Sequence, residues 1–144
     1  MNPEDLDSLA EYATPVAAGD ETIIAITRPD LESNSYLSQL FAVGSDSPRR
    51  LTHAWRDTSP QLGESWAAYL SAEKGERSQL FAGPTLTTAH RITDRHLGVS
   101  EFALDDATGR VLYVSRVPEP GRYGTDDDIP ADEEAPRRIT SAAY

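Results

Sequence analysis

The chain has no cysteine among its 144 residues. Disulfide cross-links and thiolate metal sites are therefore excluded. It has one lysine, Lys74, and only 13 basic residues against 24 acidic ones, a formal net charge of −11. Nucleic-acid and anionic-membrane binding need clustered Lys and Arg, so neither partner is expected. No apolar run is long enough to encode a transmembrane helix. The N-terminal stretch Met1–Tyr12 is acidic and has no basic or apolar region of a secretory signal. A cytoplasmic protein is the simplest expectation. The string Gly-x-Ser-x-Gly, which the strained turn of a nucleophile elbow requires, is missing. The nearest approach, Gly98-Val99-Ser100-Glu101-Phe102, fails at its last position.

What the chain does contain is repetition. Ser-Gln-Leu-Phe-Ala occurs at Ser38–Ala42 and again at Ser78–Ala82, forty residues later. Arg-(Leu/Ile)-Thr occurs at Arg50–Thr52, Arg91–Thr93 and Arg138–Thr140, with spacings of 41 and 47. Apolar runs close on a charged residue at Arg28, Glu73 and Arg116, spaced by 45 and 43. Three elements in one order and near one period point to equivalent structural environments.

Each period reads as short strands. In the first they are expected near Ala13–Ala17, Thr22–Thr27, Tyr36–Val43 and Pro48–Thr52. In the second they are expected near Thr58–Leu62, Trp66–Ser71, Ser78–Gly83 and Leu86–Thr93. β-Branched runs such as Thr-Ile-Ile-Ala-Ile suit strands buried on both faces, and Gly- and Asp-rich turns separate them. Four strands per period predict all-β tandem propeller blades, about three of them in an incomplete ring. The boundaries are 13–52, 58–93 and 100–140. A β-sandwich is the other all-β reading, but it demands no identity between segments forty residues apart. A short helix is expected over 3–12. Asn2 would cap it, Pro3 would fill the first turn, Glu4 and Asp5 would suit the dipole, and Leu6, Leu9, Ala10 and Ala13 would share a face.

The stretch Asp5–His53 resembles the start of the N-terminal β-propeller of prolyl-oligopeptidase-family serine peptidases, of the bacterial dipeptidyl aminopeptidase/acylaminoacyl peptidase type. Its most specific parts are Thr-Arg-Pro-Asp-Leu-Glu-Ser-Asn-Ser-Tyr-Leu-Ser-Gln-Leu-Phe from Thr27 and Arg-Val-Pro-Glu-Pro-Gly-Arg-Tyr-Gly-Thr from Arg116. The Gln-Leu-Phe…Arg-Leu-Thr pattern is shared with TolB-like propellers. The resemblance implies a non-catalytic portion that gates or binds peptide substrate for a catalytic α/β-hydrolase domain. The alternative is a stand-alone TolB-like module that binds a protein partner. The family's usual Trp-Ser-Pro-Asp-Gly turn is eroded at all three matching places, and no catalytic residue can be carried over. No activity is expected from this chain alone, even if the parent is a hydrolase.

No catalytic, cofactor-binding or metal-binding residue stands out. His53, His90 and His96 lack ligand-spaced partners and read as surface residues. Asp126, Asp127, Asp128, Asp132, Glu133 and Glu134 lack the alternation of a calcium loop and read as a solvated run. Trp66, Tyr69, Phe81, Phe102 and Tyr113 read as core aromatics, and Trp55 as a loop residue. The two long loops, 28–35 and 116–135, are expected on one rim, as a contact surface for a catalytic domain or substrate. The expected partners are that domain, the remaining blades, or a second copy meeting exposed blade faces.

Overall fold

A computed structural model describes residues 9–44 and 47–116, and the described residues form an all-β structure. Ten strands follow in chain order: β1 Glu11–Ala18, β2 Glu21–Asp30, β3 Ser35–Val43, β4 Arg49–Arg50, β5 Arg56–Leu62, β6 Ala67–Ala72, β7 Gln79–Gly83, β8 His90–Arg91, β9 Glu101–Asp105 and β10 Arg110–Val114. Strands β1–β4 form one antiparallel meander and β5–β8 another. A parallel pairing of Ser38 with Arg56 joins them into one eight-stranded mixed sheet. Strands β9 and β10 pair separately as a hairpin. Among the described residues no helix is long and apolar enough to cross a membrane.

Two fold expectations are corrected. The helix expected over 3–12 does not extend through its described part: Leu9 and Ala10 have no regular structure, and Glu11 and Tyr12 belong to β1. Glu11, Tyr12 and Ala13 pair with Thr27, Ile26 and Ala25, so a full ladder outweighs the helical pattern. Positions 3–8 lie outside the described residues. Separate propeller blades in an incomplete ring are not the architecture either, because β5 begins alongside β3 and continues its sheet. The Ser38 amide donates to the Trp55 carbonyl at 3.1 Å, and the Ser38 hydroxyl donates to the Asp57 carbonyl at 3.1 Å. The sheet does not close on itself. Of the third segment, 100–140, the described part is the β9–β10 hairpin, and 117–140 lies outside.

Strand limits also shift. Leu86–Thr93 narrows to His90–Arg91, because Pro84–Thr88 is a turn. The Thr85 and Thr88 amides each donate to the other residue's hydroxyl at 3.2 Å, which holds that turn in place of a ladder.

The doubled pentapeptide has a physical explanation. In both copies the leucine amide donates to the threonine hydroxyl of the following Arg-(Leu/Ile)-Thr unit. Leu40 donates to Thr52 Oγ1 at 3.0 Å, and Leu80 donates to Thr93 Oγ1 at 2.9 Å. The residue before each threonine donates its amide back, Leu51 to Leu40 at 2.8 Å and Ile92 to Leu80 at 2.9 Å. The glutamine holds the loop beyond, Gln39 Nε2 donating to Ala54 O at 3.3 Å and Gln79 Nε2 to Arg95 O at 2.7 Å. Each copy thus closes its own sheet edge. A buried amide left without such a partner would cost about 1–3 kcal/mol. Arg138–Thr140 lies outside the described residues.

The two meanders also share a bulge in their first strands. The register shifts between Ala13 and Val16, and 45 residues later between Thr58 and Gln61. Both gaps hold a proline, Pro15 and Pro60, which cannot donate to the ladder. Ser59, beside Pro60, takes a left-handed φ of 55°.

Two apolar layers result. Ile23, Ala25, Leu40 and Ala42 of the first meander pack on Ala67, Tyr69 and Leu86 of the second. On the opposite face of the second meander, Ala68, Leu70, Leu80 and Ala82 meet Val99, with Phe102 and Val111 of the hairpin against them. Tyr69 and Phe81 stack at 5.6 Å between ring centroids.

Candidate functional site

Where the two meanders meet at their β1–β2 and β5–β6 turns, a cleft of about 560 Å³ opens. Ile23, Leu51, Leu62 and Leu86 give it an apolar floor, while Thr85 and Thr87 contribute hydroxyls. Trp66 stands at its lip, 42% exposed. The Trp66 backbone is held by its own turn, where the Gly63 amide donates to the Trp66 carbonyl at 2.7 Å. Glu21 and Arg49 form an ion pair at 3.2 Å on the rim. Both are substantially exposed, so the pair orients charge more than it stabilises. Clefts of about 300–1,000 Å³ with an apolar lining and few polar groups are the usual form of a ligand site.

At the other end of the second meander lies a cleft of about 280 Å³ lined by Arg77, Arg91 and Arg95 and by Glu73, Glu76 and Asp94. Arg91 already pairs with Asp94, and the Arg95 guanidinium sits 5.5 Å from the Tyr113 ring centre. Three cations face three carboxylates, so no net charge selects a ligand there.

Behind the sheet junction is a buried polar group that the sequence reading missed. Asp57 is fully buried. Its Oδ2 accepts the Ala54 amide at 3.1 Å, while Oδ1 has no hydrogen-bond partner. Burial pushes the Asp57 carboxyl above its ordinary value. The Ser71 and Thr52 hydroxyls, the Ala54 amide and the charge of His53 pull it back without cancelling that. The two hydroxyls stand close enough to favour the anion, yet not in bonding geometry to Oδ1. The neighbouring Tyr69 phenol is pushed up to about 12, first by burial and then by the Asp57 charge. Among the described residues Asp57 makes no hydrogen bond to His53, Tyr69 or another titratable group, so no catalytic pair is built. Only the 45-residue spacing from Tyr12 to Asp57, in strands with the same bulge, could have singled it out.

The residues weighed in sequence fall apart in space. His53, His90 and His96 are all exposed, in the β4–β5 loop, in β8 and in the loop before β9. Among the described residues no group of three or more His, Asp or Glu side chains could hold a metal. The acidic run from Asp126 lies outside the described residues. Trp66 and Tyr113, expected in the core, are surface residues, at 42% and 39% exposure. Trp66 belongs to the cleft, and its place in a turn rather than a strand explains the difference. Trp55 carries the Lys74 ammonium 4.7 Å above its ring. Half of the loop expected at 28–35 is strand, because β2 and β3 pair out to Asp30 and Ser35, and only 31–34 form the turn. Its tip leaves Leu31 and Tyr36 exposed. The companion loop, 116–135, lies outside the described residues apart from Arg116.

No protein-family model matches the chain, and no curated protein matches it.

Proposed function

We propose that the chain is a non-catalytic binding module that takes an extended, apolar segment of a peptide or protein partner into the inter-meander cleft. The cleft itself supports this reading: an aliphatic floor, an exposed indole at the lip and one ion pair on the rim. Such a site grips side chains and offers no activated nucleophile. Resemblance to prolyl-oligopeptidase-family peptidases supplies a more specific setting. There the module handles peptide substrate for a catalytic α/β-hydrolase domain, in the cytoplasm. A free-standing module acting on another protein partner is the second reading, favoured by the exposed Leu31 and Tyr36 at the hairpin tip.

Trp66 fluorescence, read in a Trp55→Phe background, should change saturably on adding a capped apolar pentapeptide. Trp66→Ala, followed by calorimetry, should weaken binding about tenfold or more, equivalent to about 1.4 kcal/mol. Unchanged fluorescence and no heat of binding would overturn the reading. So would labelling of the purified chain by a fluorophosphonate serine probe.

A further inference from the structure

The two outer faces of the molecule match faces that are already joined inside it. In the second meander, one face carries the cross-strand rows Asp57–Ser71–Gln79 and Tyr69–Phe81–Arg91. The first meander covers it with Ile23, Ala25, Leu40 and Ala42. The same register positions in the first meander are Tyr12–Ile26–Gln39 and Ile24–Phe41–Arg50. There no described strand lies over them. Tyr12 is 67% exposed and Ile24 and Ile26 are only half-buried, where the equivalent Asp57, Tyr69 and Ser71 are buried; Gln39 of the same row is itself buried.

The opposite end shows the complementary face. Phe102 and Val111 of the hairpin point into the molecule. Their cross-strand alternates, Ala103 with Leu112 and Glu101 with Val114, therefore point away from it. Leu112 is 75% exposed and Val114 55% exposed. This is the kind of small aliphatic surface that Ala68, Leu70, Leu80 and Ala82 present inside the molecule. The charges agree as well. Glu101 and Asp105 edge the hairpin face, together with Arg110, while Arg28 and Arg50, together with Asp30, edge the first meander's face, so the two faces carry net charges of opposite sign.

We infer that the chain associates head-to-tail with a second copy of itself. The outer face of the β9–β10 hairpin of one copy covers the outer face of the first meander of the next. The surfaces that meet are different, so the contact is heterologous and either closes into a ring or runs on. The inference is independent of the cleft, whose lining belongs to neither face.

Light scattering after size exclusion tests it on the full chain. The wild-type mass should exceed that of the monomer and rise with concentration. Ile24→Asp and Leu112→Asp should each yield a monomer with an unchanged far-UV spectrum. An equal mixture of the two should recover a one-to-one dimer and nothing larger, since each variant keeps one intact face. Tyr12→Asp and Val114→Asp form a second pair at more exposed positions, should either first variant fail to fold. A wild-type chain that stays monomeric at tens of micromolar would overturn the inference. So would folded single variants that still assemble, or a mixture that stays monomeric.

Discussion

Tyr12 and Asp57 occupy the same register position in the two meanders, two residues before Thr14 and Ser59 of the shared bulge. One is 67% exposed and the other fully buried. Ile24 and Ile26 are likewise half-buried where Tyr69 and Ser71 are buried, whereas Gln39 and Gln79 are buried in both meanders and Phe41 and Phe81 half-buried in both. The strand plan is common, so the difference comes from what lies against each sheet. The second meander is covered on both faces, and the first is covered on one among the described residues. Burial here depends on place in the stack more than on residue type, and a polar group in the middle of the stack carries the larger desolvation cost.

The strongest way to break the comparison is to empty the two cores separately. Leu40 and Leu80 are each fully buried and sit at the same point of the doubled pentapeptide. Leu40→Ala should open the layer between the two meanders, and Leu80→Ala the layer under the hairpin. Each should cost about 2–5 kcal/mol in urea unfolding, from lost transfer energy plus the cavity left behind. A loss at Leu40 with no shift in midpoint for Leu80→Ala would show that the hairpin layer does not belong to the cooperative core.

A smaller effect separates the two threonines. Thr52→Val and Thr93→Val each remove the hydroxyl that satisfies a leucine amide, at a cost of about 1–3 kcal/mol. Thr52 is buried and also faces Asp57, whereas Thr93 is half-buried and its hydroxyl donates to Gln79 Oε1 at 2.9 Å. Thr52→Val should therefore be the more damaging. Serine at either position should restore most of the stability. Equal losses would mean that the junction around Asp57 adds nothing to the repeated contact.

The repeat elements are legible in the sequence because they make their own contacts. Ser-Gln-Leu-Phe-Ala and Arg-(Leu/Ile)-Thr bond to each other, and that local device takes the same form twice. The assembly of the strands is not legible in the same way. The single parallel pairing of Ser38 with Arg56 merges two meanders into one sheet, and no residue pattern announces it. The helical pattern fails at Glu11 and Tyr12 because a short amphipathic pattern carries no information about the ladder waiting in β2. The cleft escaped notice because its lining is gathered from turns, among them Gly19, Gly63, Trp66 and Thr85. These residues are distant in sequence and ordinary one by one. Asp57 escaped for a related reason: its strand offers no visible sign that both faces will be covered.

The smallest expected effect, and the one of opposite sign, comes from Asp57. Its pKa in the folded chain is raised above the ordinary 3.8, so folding favours the protonated form. Its contribution to stability is then fullest below 3.8 and is lost as pH rises toward the folded value, with a constant penalty above it. Asp57→Asn keeps an oxygen to accept the Ala54 amide and removes the charge. The variant should equal wild type in strong acid, become the more stable of the two as pH rises through that window, and hold a constant advantage at neutral pH. Thermal melts across the acid range would show it. The Tyr69 phenol should titrate below its present value of about 12 in the same variant, although burial would still hold it up. Tyr12→Asp is the matched control at low protein concentration. It places a carboxylate at the equivalent position on the open face, where water solvates it, and stability should change by no more than about 0.5 kcal/mol. If Tyr12→Asp instead lost stability steeply as pH rose, the open face would be covered within the chain, and the contrast between the two meanders would be one of residue type after all.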